Sequence, residues 1–173
     1  MADEYRLTLG VEVVRVDDGA ILSPDETNPD WRRYQAWLTG GGTPDPVDLS
    51  DLKSAKKMEI EAAFAAAVAA GMPYGGKVLQ IDDASRQNIA AVATRAIGVV
   101  QSIAGMTWPA GFAWRMADNS YLTISAATFL AMGQAAADRY TALILHRGVL
   151  KDAVAAAADA AAIDVIDPTA GWS

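Results

Sequence analysis

Apolar and polar residues alternate over residues 5–22, with Leu9, Val11 and Val13 on one side and Thr8, Glu12 and Arg15 on the other. A period of two predicts strand, and the Asp17-Asp18-Gly19 break between apolar runs predicts a hairpin turn. The period then changes. Asn28-Pro29-Asp30 supplies an N-cap, a proline at the first helical position and an acid near the positive end of a helix dipole. Trp31, Tyr34 and Leu38 follow at helical spacing until Gly40. Gly40-Gly41-Gly42-Thr43-Pro44-Asp45-Pro46 carries neither period and reads as a linker, flexible at its glycines and stiff at its prolines.

A second helix is predicted from near Ser50 to Gly71, with Ile60, Ala63, Phe64, Ala67 and Val68 on its apolar face. Lys53, Lys56 and Lys57 have the wrong sign for its first turns, so Asp48, Asp51 or a partner surface must offset them. Residues 73–81 predict a hairpin about Gly75-Gly76, and Asp82 or Asp83 caps a third helix. Its stripe is Ile89, Val92, Ala96, Val99, Val100 and Ile103. A further hairpin follows Gly105 and Trp108-Pro109 and turns at Asp118-Asn119, with Trp114 and Met116 on one face and Arg115 and Ala117 on the other. Ser125 then caps a last helix in which Phe129, Ala136, Leu143, Leu150 and Ala157 recur every seven residues, beside Gly133, Tyr140, Arg147, Val154 and Ala161. Unbroken to residue 162 it would run about 55 Å, and part of it would need a partner; a break at Gly148 would instead give two helices on one core. The expected fold is α+β and mostly helical: a β-hairpin and helix module over 1–40, a linker over 41–50, and a helical domain over 51–173 with short antiparallel hairpins and a long C-terminal helix.

Composition narrows the chemistry. The 173 residues hold no Cys and one His, which excludes disulfides, thiolate metal sites and any histidine cluster within one chain. A net charge of -7 without a dense Lys/Arg patch removes the counterion-release term of nucleic-acid binding. The Ala-rich residues 62–70 fall short of the roughly 20 apolar residues that span a bilayer. Met1-Ala2-Asp3-Glu4 lacks the apolar core of a signal peptide, so a bacterial-type cytoplasm is expected. Asp17-Asp18, Asp25-Glu26 and Asp82-Asp83 have the composition of paired catalytic carboxylates, but each falls at a predicted turn or helix start where carboxylates cap. The double and triple glycines lack the strand-loop-helix setting of a phosphate loop, and no calcium spacing is present. The expectation is a protein that is not an enzyme and takes no cofactor or metal.

The aromatics are the better candidates for recognition. Trp31, Tyr34 and Trp37 fit either a small core or a docking face, with Trp37 expected to point outward because it leaves the main stripe. Trp114 is expected in a core, Trp172 as a plug that pins the C-terminus, and Arg115 either paired with a carboxylate or exposed. His146, between Leu145 and Arg147, is expected on a helix surface. The candidate partner-binding residues are Arg33, Trp37, Tyr140, Arg147 and Trp172.

Two sets of segments carry a resemblance. Asp18-Gly19-Ala20-Ile21, Asn28 through Leu38 and Thr43-Pro44-Asp45-Pro46 resemble the N-terminal segment of small proteins encoded beside bacteriophage tail-fibre genes. Asp83-Ala84-Ser85-Arg86-Gln87, Trp114-Arg115, Ala117-Asp118-Asn119, Leu122-Thr123 and Ala170-Gly171-Trp172 are similar to a tail-fibre-associated phage family of unknown function, related to tail-fibre assembly proteins. The resemblance implies a phage tail protein that binds the tail-fibre or baseplate polypeptide, as an assembly chaperone or adaptor. It leaves two alternatives, a permanent subunit of the fibre or baseplate and a glycan-binding or wall-degrading tail protein. It also implies a place in the host cytoplasm during assembly or in the virion tail, with self-association through the C-terminal helix as a further contact.

Overall fold

A computed structural model describes residues 4–173; the Met1-Ala2-Asp3 start lies outside them. The elements run β1 (Tyr5–Leu7), β2 (Val13–Arg15), β3 (Ile21–Leu22), α1 (Pro29–Thr39), α2 (Ser50–Ala70), β4 (Met72–Tyr74), β5 (Lys77–Leu79), α3 (Asp83–Val100), β6 (Ala113–Arg115), β7 (Tyr121–Thr123), α4 (Ala126–Ala156) and α5 (Ala160–Asp164). The fold is α+β and mostly helical, as the periodicities require. Two compact units divide the chain: one takes the residues up to Lys56 together with Val154–Ile166, the other Lys57–Ala153 with Asp167–Ser173.

In the first unit β1, β2 and β3 form an antiparallel sheet in that order, with Leu7 opposite Val13 and Val13 opposite Leu22. Its buried face carries Tyr5, Val13 and Leu22, and α1 closes it with Trp31 and Tyr34. Asn28 caps α1 by accepting the Asp30 amide. Arg15 ties the sheet to that helix, reaching Asp18 in the β2–β3 turn at 2.8 Å and Asp30 in the first helical turn at 2.9 Å. The strand predicted through residues 8–12 is instead a turn. Thr8 Oγ1 donates to the Glu12 carbonyl and accepts the Gly10 amide, so the alternation persists while the chain reverses, and Leu9 and Val11 stand 62% and 75% exposed.

Trp37 also differs from expectation. It is half-buried, with its ring 5.0 Å from Tyr5 and 6.2 Å from Tyr34. The reason is the stretch read as a linker. Asp45 donates its amide to the Tyr5 carbonyl and accepts the Leu7 amide, so residues 41–50 run beside β1 rather than free of it. Gly42 then passes so close to the Trp37 ring that any Cβ there would overlap it. At the start of α2, Asp48 caps the Ser50 amide, and Lys53 donates to the Ala155 carbonyl at the C-terminal end of α4, where a cation is favoured.

In the second unit the core gathers Ala67 of α2, Met72 and Leu79 of the β4–β5 hairpin, Ile89 and Ala96 of α3, and Phe129, Met132, Ala136 and Leu143 of α4. Asp82 caps α3 through the Ser85 amide. The α3 stripe is shorter than its pattern. The helix stops at Val100, Ser102 takes a left-handed φ of 56°, and Val100 and Ile103 are left exposed. The β6–β7 hairpin turns at Asp118-Asn119 as predicted, puts Trp114 against Phe129 at 5.2 Å, and buries Met116 while Arg115 stays exposed.

Ser125 caps α4 through the Thr128 amide. The helix follows neither reading of its length. It runs unbroken through Gly148 for 31 residues, about 46 Å at 1.5 Å per residue, and stops at Ala156 because Asp159 caps the short α5. Phe129, Ala136 and Leu143 of its heptad are buried and Leu150 is half-buried, whereas Ala157 falls beyond its end. Among the described residues no helix is long and apolar enough to cross a membrane.

Candidate functional site

The candidate site lies in the second unit and is centred on Phe64, on the α2 face that also carries Glu61 and Val68. Tyr140 and Arg147 are seven residues apart on α4, two turns of helix, and so share one face. The Tyr140 ring lies 6.1 Å from Phe64, and the Arg147 guanidinium stands over Phe64 at 4.4 Å. On the far side of Tyr140 the Arg86 guanidinium covers the ring at 3.2 Å and pairs with Asp83 one turn earlier on α3. The quadrupole of an aromatic face favours both placements.

Charge closes the same seam. Glu61 binds Lys151 Nζ at 2.7 Å and Arg147 at 3.4 Å. The Lys151 hydrogen bond, with the positive charge of both partners, holds the Glu61 carboxyl below its usual range. It is therefore a fixed anion near neutral pH. Lys151 follows Arg147 by four residues, so both reach Glu61 from one face of α4.

The C-terminal segment packs onto this seam. The Trp172 indole lies 6.1 Å from Phe64 and meets His146 edge-on at 4.6 Å and 85°. His146 Nε2 bonds the Ala170 carbonyl at 2.9 Å and Arg139 donates to the Trp172 carbonyl. Because a carbonyl oxygen can only accept, that histidine nitrogen carries a proton and is the donor. His146 lies on the surface of α4 as expected, half-buried where the C-terminal segment packs against it. A groove of about 580 Å³ opens beside Phe64 and Tyr140, floored by Ala65, Val68 and Ala69 and edged by Glu61, Asp82 and Asp83.

Three of the five residues singled out by sequence, Tyr140, Arg147 and Trp172, are thus brought together on Phe64. The other two lie in the first unit: Trp37 in its aromatic core, and Arg33 exposed on α1, 3.6 Å from Asp30. Sequence reasoning missed Glu61, Arg86, Arg139, His146 and Lys151. A signal was present in the Arg147–Lys151 spacing and in Glu61 three residues before Phe64, but helical periodicity does not say which two faces meet. The carboxylate pairs serve as caps and turns. Asp82 holds the Ser85 amide, Asp25 the Thr27 amide and hydroxyl, and Asp18 the Ala20 amide and the Arg15 guanidinium, and each of these carboxyls is lowered by its bonds. Among the described residues no three His, Cys, Asp or Glu side chains gather where they could hold a metal ion.

No curated protein and no solved structure matches the chain. Residues 51–167, well over half of its length, match a family described as "Domain of unknown function (DUF4376)", and the chain belongs to that family.

Proposed function

We propose that the chain is a non-enzymatic bacteriophage tail protein that binds the tail-fibre or baseplate polypeptide, acting as an assembly chaperone or adaptor. The observation that carries this reading is the order and spacing of its Asn-Pro-Asp-Trp, Trp-Arg and Gly-Trp segments, which resemble tail-fibre-associated phage proteins. Two features are in keeping with a binding role. Charged groups around Phe64 are engaged with one another or with rings, an arrangement that holds helices together. On α4, Leu145 and Val149 are one turn apart, each 65% exposed and opposite the buried Leu143, and they form an apolar ridge that a partner helix can cover.

Co-expression with the tail-fibre polypeptide tests the proposal. The expected result is a higher yield of soluble, trimeric fibre, reduced when Leu145 and Val149 are both replaced by Gln. An unchanged fibre yield, together with absence of the chain from purified virions by mass spectrometry, would overturn the proposal. Stoichiometric presence in virions would favour a permanent subunit over a chaperone.

A further inference from the structure

The C-terminal segment has the construction of a bound peptide, folded by bonds of its own and gripped by side chains that reach its carbonyls. Asp167 accepts the Thr169 amide and hydroxyl at 2.8 and 2.7 Å, and the Trp172 indole N–H donates to the Pro168 carbonyl at 2.7 Å. The turn and the indole's only polar group are thus satisfied within the segment and would move with it. Arg139 bonds the Trp172 carbonyl and His146 the Ala170 carbonyl, and the indole makes ring contacts with Phe64 and His146. Side chains that read the carbonyls of a short turn, beside a seat for one large ring, are a means by which peptide sites work.

The seat is selective at two positions. A cleft of about 350 Å³ beside the indole is lined by Ala63, Ala66, Ala67 and Ala70 of α2 and by Arg139. Thr169 and Trp172 form its remaining wall, so this space lies open beside the indole, whose own seat is the Phe64 and His146 rings. Gly171 has a φ of 81°, and a Cβ there would come 2.7 Å from the His146 ring, so a side chain is refused by both backbone and neighbour. Position 171 is therefore read as glycine, and position 172 as the ring that meets Phe64 and His146.

We propose that the seat formed by Phe64 of α2 with Arg139 and His146 of α4 is a recognition site for a Gly-Trp segment, occupied here by the chain's own residues and able to take the same segment from a second copy. The inference stands independently of the tail-protein reading. The attached tail has an effective concentration on the order of millimolar, so a second copy's segment gains the site when the resident one is disabled.

The test is a titration by fluorescence anisotropy. A labelled peptide of residues 167–173 is added to the full chain carrying Trp172→Ala, to the full chain carrying Gly171→Ala, and to the unaltered chain, with circular dichroism melts recording the fold of each. Saturable binding is expected to the two altered chains, weaker by about tenfold or more on the unaltered chain, and weaker by a similar factor for peptides carrying Gly171→Ala or Trp172→Ala. Equal binding of the unaltered and Gly171→Ala peptides overturns the proposal, as does no binding to a folded acceptor. Loss of cooperative folding in both altered chains also overturns it, because a segment whose alteration unfolds the body is core and not ligand.

Discussion

In the first unit Tyr5, Trp31, Tyr34 and Trp37 stack ring against ring at 4.9 to 6.2 Å, and three of the four come from a single helix. In the second, Phe64, Tyr140 and Trp172 come from α2, α4 and the C-terminal segment, and guanidinium and imidazole groups fill the places between them. The first cluster is the core of its unit. The second is a seam over a separate core built on Phe129, Met132 and Leu143. Similar rings thus do different work, and the two should fail differently.

The largest effect is expected at Tyr34, which is 5% exposed. Tyr34→Ala removes a ring that touches three others and should cost the first unit about 3–5 kcal/mol, the range for deleting a buried aromatic. Phe64→Ala should cost less, because Phe64 is half-buried and the core beneath it stays intact. Denaturant unfolding followed by tryptophan fluorescence checks both; a larger loss at Phe64 would show that the seam is itself a core.

Two glycines sharpen the contrast, since an added methyl meets a ring at each. At Gly42 the ring is Trp37, which is wedged against Tyr5 and Tyr34 while Asp45 fixes the chain beyond, so neither side can yield. Gly42→Ala should destabilise by about 1–3 kcal/mol, the usual cost of overpacking. At Gly171 the ring is His146, and the segment can leave as a unit. Gly171→Ala should change global stability by less than about 1 kcal/mol, because local opening relieves the clash, while hydrogen exchange at residues 169–172 rises. Equal losses of global stability at the two glycines would remove the distinction between core and seam.

The same contrast explains what was legible in sequence. The first cluster follows one helical period, so Trp31, Tyr34 and their cap could be read directly from the order of residues. Its surprises came from short-range competition: Thr8 and Gly10 turned an alternating run, and Asp45 docked a stretch whose composition suggests a tether. The heptad of α4 announced Phe129, Ala136 and Leu143, and it also placed Tyr140 and Arg147 on one neighbouring track. It could not announce Phe64, Glu61 or Arg86, because a period describes the face of one helix and leaves its opposite number open. The Ala-rich run of α2 concealed the most, since alanine carries no pattern and its function in the cleft is the space it leaves.

The smallest effects are electrostatic, and acid resolves them. Glu61 has a folded-state pKa below its ordinary 4.5, mainly through the Lys151 hydrogen bond. Asp18 is lowered from 3.8 to about 2, mainly by the Arg15 hydrogen bond. In each case the unfolded chain binds a proton more readily than the folded one, so the stabilisation is fully present above the unfolded value and is lost as pH falls through the folded one. Glu61→Gln removes the charge and retains the shape of the side chain. With these side chains 32% to 42% exposed, it should cost the second unit about 0.2–1 kcal/mol near neutral pH and progressively less below about pH 4.5, as the unaltered chain loses the same contribution. Asp18→Asn should act on the first unit alone, its deficit persisting to lower pH and fading between about pH 4 and pH 2. Unfolding curves collected from pH 7 to pH 2 check both. If the Glu61→Gln and unaltered curves stay parallel through pH 4.5, the charge of the carboxylate contributes nothing to the seam, and the cation–π contact with Phe64 is what holds Arg147 in place.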